Sequence, residues 1–172
     1  MSQLSQLLIM EDDKEIASWY NRTLADRGHK VTLARTAEMC LKIYSKSLHD
    51  VQMKKTLIRD AQPYDAVILD YRMPDRNGLE VAEEIITYNC HQRIIFVSAY
   101  VGDTFSQSVK NLKIPVEVLE KPVSNKVLVD TIEHTKVYQQ LRNRHIDPTA
   151  FRKAGLNHEQ LKSISDILSP SI

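Results

Sequence analysis

The fold is decided by one stretch, Val67-Ile68-Leu69-Asp70-Tyr71-Arg72-Met73-Pro74-Asp75-Arg76-Asn77-Gly78. It opens with a short apolar run flanked by polar and proline residues, which predicts a buried strand. Asp70 ends that strand, so we expect its carboxylate at the carboxyl edge of a sheet, where open α/β folds place their ligand sites. Pro74 and Asn77-Gly78 then predict a turn before the next helix.

Three further predicted strands also end in polar residues that can do chemistry. Since the strands of a βα repeat run parallel, all four ends lie on one edge of the sheet. An acid cluster able to hold a hard cation such as Mg²⁺, an Asp nucleophile, a hydroxyl and a lysine are the components of a phosphoryl-transfer site. A solvated helix cap is the alternative interpretation of the acid cluster. The three further strand ends are Glu11-Asp12-Asp13 after Leu7–Met10, Ser98-Ala99 after Ile94–Val97, and Lys121-Pro122 after Val116–Glu120.

With these residues in this order, the sequence resembles the receiver domain of two-component response regulators over about residues 6–138. The resemblance implies phosphorylation of Asp70 by a histidine kinase, a phosphotransfer protein or a small phosphodonor. It implies Mg²⁺ held by Asp12, Asp70 and the backbone carbonyl of Arg72, with Glu11 helping through water. It also implies that Ser98 and Lys121 contact the phosphoryl oxygens. Such a chain is a phosphoacceptor switch and not an enzyme with other substrates.

The resemblance and the βα repeat predict a doubly wound, flavodoxin-like α/β fold of five parallel strands ordered 2-1-3-4-5. We expect a receiver domain over residues 1–138 and a short helical tail over 139–172. Residues 50–62 keep a helical period without Gly or Pro until Pro63, which predicts a second helix lengthened by about three turns. A flexible loop is the alternative there. The fourth helix, near residues 104–112, is short and polar, so we expect marginal packing.

The tail contains the signals of two helices, one ending at Gly155 and one beginning near His158. Its apolar stripe predicts packing on the receiver or on a second copy in a homodimer. A DNA-binding helix-turn-helix is an alternative, although five basic and three acidic residues in 139–172 give little charge for phosphate contacts. A helix pair that docks another protein is the third interpretation.

Composition excludes several classes. The formal net charge is +1, which gives no global bias toward nucleic acid or membrane surfaces. No apolar run approaches the roughly 18 residues of a membrane-spanning helix, and no signal-peptide pattern is present, so we expect a cytoplasmic protein. Cys40 and Cys90 are isolated and are expected to be buried small hydrophobes.

Two other functions fit the sequence less well than the switch. A phosphatase with an aspartyl-phosphate intermediate would need a second Asp two residues after Asp70, where this chain has Arg72. An adaptor that retains only the fold would not need the acids, Ser98 and Lys121. One departure from the family concerns the read-out, because Val118 stands three residues before Lys121, where an aromatic is usual.

Overall fold

A computed structural model describes residues 4–54, 62–99, 102–112 and 116–133, together with Ser163. Over these residues strands and helices alternate along the chain. The strands are β1 (Gln6–Met10), β2 (Lys30–Ala34), β3 (Ala66–Asp70), β4 (Ile94–Ser98) and β5 (Glu117–Glu120). The helices are α1 (Lys14–Ala25), α2 (Ala37–Lys54), α3 (Gly78–Tyr88), α4 (Asp103–Asn111) and α5 (Asn125–Glu133).

The five strands form one parallel sheet in the order β2-β1-β3-β4-β5, which confirms the predicted topology. Every residue of β3 and of β4 is buried. Strands covered on both faces carry continuous apolar runs instead of alternating polar and apolar residues. This is why the sequence of β3 is apolar until Asp70, its last residue.

One face of the sheet packs on α2, α3 and α4. Its buried cluster includes Leu69 and Phe96 of the sheet, Tyr44 of α2, Ile85 of α3 and Phe105 of α4. α1 contributes a separate set of buried side chains at helical spacing, Ala17, Tyr20 and Leu24, which do not belong to that cluster. Each of these helices therefore turns its apolar stripe inward and buries it in the core.

Side chains cap the N-termini of α1 and α3. Asp13 Oδ1 accepts from the Glu15 and Ile16 amides at 2.8 and 3.0 Å and starts α1, while Asn77 Oδ1 accepts from the Glu80 amide at 3.0 Å and starts α3. After α1 the chain turns at Gly28, whose φ of +87° favours glycine. These caps fix the loops that leave the carboxyl ends of β1 and β3.

The helix α2 continues through Lys54, and its 18 residues correspond to about 27 Å at the usual rise per residue. The prediction that residues 50–62 lengthen this helix holds through Lys54, residues 55–61 lie outside the described residues, and Gln62 is not helical. A buried network holds α2 to the segments that precede β3 and β4. Tyr44 Oη donates to Gln92 Oε1 at 3.0 Å, and Gln92 Nε2 donates to the Tyr64 carbonyl at 2.9 Å.

Two smaller expectations were wrong. The polar sequence of α4 suggested marginal packing, but Phe105, Val109 and the following Leu112 are buried in the core cluster. Three apolar residues at helical spacing are enough to bury one face of a short helix. Cys90 was expected to be buried with Cys40, but it lies exposed in the turn after α3.

The chain divides into two compact units, residues 1–123 and 124–172. The sheet and α1 to α4 belong to the first unit, and α5 belongs to the second. The predicted tail over 139–172 lies outside the described residues except for Ser163, so the domain boundary at 138 stays a prediction. Among the described helices, none combines the length and apolar character needed to span a membrane.

Candidate functional site

The strand register brings the predicted residues together at one edge of the sheet. Asp70 lies beside Val97 in the β3–β4 pairing, so Ser98 is one step further along the neighbouring strand. The Lys121 amide donates to the Ser98 carbonyl at 2.8 Å, which holds the end of β5 against the end of β4. Glu11 follows β1, which pairs with β3 on its other side. Four chain segments therefore meet around Asp70.

Lys121 links two of these segments through its side chain. Its Nζ donates to Asp70 Oδ2 at 2.7 Å and to Glu11 Oε2 at 2.9 Å. Burial alone would lower the pKa of Lys121, but the hydrogen bonds with the two carboxylates outweigh it and raise the pKa above its ordinary value. The ammonium group therefore stays charged at neutral pH. It compensates the negative charge of Asp70 and Glu11, whose side chains are almost inaccessible to water.

Three carboxylates form a compact cluster at this edge. Glu11, Asp12 and Asp70 each contribute one oxygen, and these oxygens lie within 4.8 Å of one another. Burial raises the pKa of the Glu11 carboxyl, while the hydrogen bond from Lys121 works in the opposite direction. Glu11 and Asp70 are buried, whereas Asp12 is accessible to solvent. An all-oxygen, anionic donor set of this kind suits a hard divalent cation.

The third acid of the sequence cluster has a different position. Asp13 caps α1, and the hydrogen bond from the Ile16 amide is the main reason that its pKa is lowered. Glu11 Oε1 accepts from the Asp13 amide at 3.2 Å. The three consecutive acids therefore separate into two that belong to the cluster and one that shapes the loop.

The loop after β3 is held closely to Asp70. The Arg72 amide donates to Asp70 Oδ1 at 3.0 Å, which places the Arg72 peptide next to the carboxylate, and the Arg72 side chain is exposed. The Gly78 amide donates to the Tyr71 carbonyl at 2.9 Å. A Cβ at position 78 would collide with the main-chain oxygen of Asp70, so the close approach of α3 requires glycine.

Ser98 is fully buried at the end of β4. Its place between Asp70 and Lys121 follows from the register, since it pairs with Glu120 on β5. The predicted role of its hydroxyl, contact with the phosphoryl oxygens, stays a prediction.

Sequence reasoning missed two residues beside the site. Arg35 follows β2 and donates from its guanidinium to the main-chain oxygen of Asp12. Applying the strand-end argument to β2 would have found it. Asp75, in the β3–α3 loop, accepts from the Ala37 amide at 2.9 Å and so caps α2 from another segment. No local sequence signal indicates a cap supplied by another segment of the chain.

Comparison with known proteins agrees with this geometry. A family model described as the response regulator receiver domain matches residues 7–133. An uncharacterized response regulatory protein of Vibrio cholerae is 28% identical over 149 residues, which is 87% of this chain and 50% of that protein. The transcriptional regulatory protein DltR of Streptococcus agalactiae is 32% identical over 94 residues, 55% of this chain and 35% of that protein. The chain thus spans half or less of the length of these relatives.

A solved structure shows the same fold. The chemotaxis protein CheY4 of Vibrio cholerae superposes with a TM-score of 0.63 and 20% identity, covering 77% of this chain and 98% of that one. The matched family model extends over most of the chain and includes every strand end described above. The chain therefore belongs to the response regulator receiver domain family.

Proposed function

We propose that this chain is a phosphorylation-activated response regulator whose phosphoacceptor is Asp70. A carboxylate oxygen of Asp70 forms a bond to phosphorus as the bond between phosphorus and the imidazole nitrogen of a phosphohistidine breaks. The imidazole leaves with the electron pair of that bond and takes up a proton. The donor is a histidine kinase or a phosphotransfer protein, and a small acyl phosphate can take its place.

The contact between Lys121 and Asp70 carries this proposal. In phosphoryl transfer the protein mainly positions the groups and stabilises charge, because negative charge spreads over the transferring oxygens. Lys121 lies 2.7 Å from the carboxylate that attacks, so its ammonium group is close to the incoming phosphoryl oxygens. Ser98, one step along β4 from the level of Asp70, supplies a hydroxyl donor to the same oxygens.

The acid cluster fits a divalent cation. We propose that Glu11, Asp12, Asp70 and the backbone carbonyl of Arg72 hold Mg²⁺, with Glu11 acting through water. The donor set supports this, since three carboxylate oxygens lie within 4.8 Å of one another and such ions combine a few carboxylates with water and phosphate oxygens. When bound, Mg²⁺ would supply positive charge that offsets the charge on the phosphoryl group.

The output is a change of conformation or assembly. Phosphorylation would shift the population of two states of the receiver and alter a surface that a partner or a second copy recognises. Outside its own phosphotransfer and dephosphorylation, no catalysis is assigned to the chain. The DNA-binding and protein-docking alternatives depend on residues 139–172, which lie outside the described residues except Ser163, and so remain predictions. A cytoplasmic location, where a phosphodonor is available, is part of the same proposal.

The test compares wild type with Asp70→Asn during incubation with acetyl phosphate and Mg²⁺, with intact-mass measurement of the product. We expect wild type to gain one hydroxylamine-sensitive phosphoryl group and Asp70→Asn to gain none. Asp50→Asn, on the exposed surface of α2, is the matched control and should behave as wild type. Equal labelling of wild type and Asp70→Asn would contradict the proposal, as would an unlabelled wild type.

A further inference from the structure

A ring contact joins the segment after Asp70 to α4. The Tyr71 and Phe105 rings meet edge to face, with centroids 4.6 Å apart and planes at 70°. Tyr71 immediately follows Asp70 in the chain, and Phe105 lies in the first turn of α4. Phe105 is 3% exposed, so this contact is part of the core and not a surface association.

Phe105 also contacts the strand that carries Ser98. Its ring meets Phe96 edge to face, with centroids 5.8 Å apart and planes at 89°. Phe96 lies two residues before Ser98 on β4, so both side chains point to the same face of the sheet. A single side chain of α4 therefore packs against the segment that carries Asp70, the proposed phosphoacceptor, and against the strand that carries Ser98, the proposed hydroxyl donor.

The backbone at Tyr71 is constrained on two sides. Its amide donates to the Val97 carbonyl at 3.0 Å, and its carbonyl accepts from the Gly78 amide at 2.9 Å. If Asp70 changes position, the backbone of Tyr71 therefore cannot move freely in response. The ring of Tyr71, which is half-buried against Phe105, is the part of that residue with the most freedom to respond.

We infer that the Tyr71 and Phe105 rings are positioning groups that couple the state of Asp70 to the position of α4. This inference rests on the proposed function, because it assumes that Asp70 carries the signal. An edge-to-face pair of this kind changes an equilibrium by about 2- to 12-fold beyond its area burial. That range overlaps the roughly 5- to 150-fold coupling typical between linked sites.

The experiment follows α4 by hydrogen exchange of the full chain, with and without beryllofluoride and Mg²⁺. In wild type, beryllofluoride should change the exchange of the α4 amides. Tyr71→Leu removes the ring and should reduce this change by about 5-fold, measured against the α4 exchange of the same variant without beryllofluoride. Tyr71→Phe is the matched control, because it keeps the ring and removes only the hydroxyl, and it should respond as wild type.

Beryllofluoride affinity, measured by calorimetry, separates coupling from damage to the site. Tyr71→Leu should bind beryllofluoride at least as tightly as wild type, since the site no longer has to displace α4. Phe105→Leu removes the other ring of the contact, and this second variant should also lose the change in α4 exchange on beryllofluoride binding. Tyr64→Leu alters a ring that stacks on Tyr44 at 6.3 Å in the same core cluster, and it should keep the response.

The possible outcomes test the role of the rings and the proposed function separately. A wild-type α4 response in Tyr71→Leu, loss of beryllofluoride binding in that variant, or equal loss of response in Tyr71→Phe would overturn the role of the rings. Failure of wild type to bind beryllofluoride would instead overturn the proposed function. The two failures are distinguishable because the first set of outcomes requires that wild type binds.

Discussion

Replacing Lys121 by Met tests the electrostatics of the site. The substitution removes the ammonium group and keeps an unbranched chain of similar length. It leaves Glu11 and Asp70, whose side chains are 1% and 8% exposed, facing each other without a cation. Like charges that share a buried site repel, and each has lost a charge-assisted hydrogen bond.

The cost follows from the geometry. A hydrogen bond to a charged group contributes about 1.5 to 3 kcal/mol, and removing one partner of a buried ion pair costs about 3 to 5 kcal/mol. The Lys121 side chain is 20% exposed, so water reaches the site and reduces this cost. We therefore expect Lys121→Met to lower the free energy of unfolding by about 2 to 4 kcal/mol near neutral pH.

The same variant should show a distinct pH dependence. Burial already raises the pKa of Glu11, and without the opposing hydrogen bond from Lys121 this pKa rises further. The folded variant then binds a proton more tightly than the unfolded chain, so its stability increases as pH falls and decreases as pH rises through the folded pKa. The deficit relative to wild type should therefore shrink between neutral pH and about pH 5.

The assay is urea unfolding with a chelator present, so that bound cation does not compensate for the loss. Lys126→Met, at an exposed position, is the control and should change stability by less than about 0.5 kcal/mol. A cost for Lys121→Met as small as that of the control, or one that does not change between the two pH values, would refute the reasoning.

Three further predictions concern the metal, the lifetime of the phosphorylated state and the tail. Asp12→Ala should weaken Mg²⁺ binding in calorimetry by about 10-fold or more, while Glu83→Ala on the exposed face of α3 should not; equal affinities would remove Asp12 from the site. Arg72 and Tyr100 come two positions after Asp70 and Ser98 in the sequence, and Tyr100 lies outside the described residues. The resemblance to receiver domains implies that residues at these two positions flank the path of attacking water, so replacing both bulky side chains by Ala should speed phosphate loss; unchanged decay would contradict this. Truncation after Tyr138 should leave the phosphorylation rate intact and change the oligomeric state or its dependence on phosphorylation; identical mass distributions would separate the tail from the read-out.

The sequence predicted which residues meet at one edge of the sheet because these residues sit at strand ends. A strand end is marked by the change from an apolar run to a polar residue, and parallel strands place all such ends at one edge. Asp70, Ser98 and Lys121 were each located by this argument. The distances that join Lys121 to two carboxylates depend on side-chain packing, which periodicity does not encode.

Contacts between segments that are distant in the chain could not be predicted from the sequence. The cap that Asp75 provides to α2 joins residues 38 positions apart, and the Tyr71–Phe105 contact requires the register of α4 on the sheet. α4 was judged by its average polarity, although three spaced apolar residues decided its packing. Val118 shows the same limit, because the sequence reveals its small side chain but not that Phe105, in the core cluster against which Val118 packs, also contacts Tyr71.

The most direct test of the central claim is to locate the phosphoryl group chemically. Borohydride reduces an aspartyl phosphate to homoserine, so treatment of the acetyl phosphate product followed by peptide mapping identifies the residue. We predict homoserine at position 70 in wild type, dependent on Mg²⁺, and none at any other acid of the chain. Homoserine at another acid, or its absence from position 70 in a labelled protein, would contradict the account.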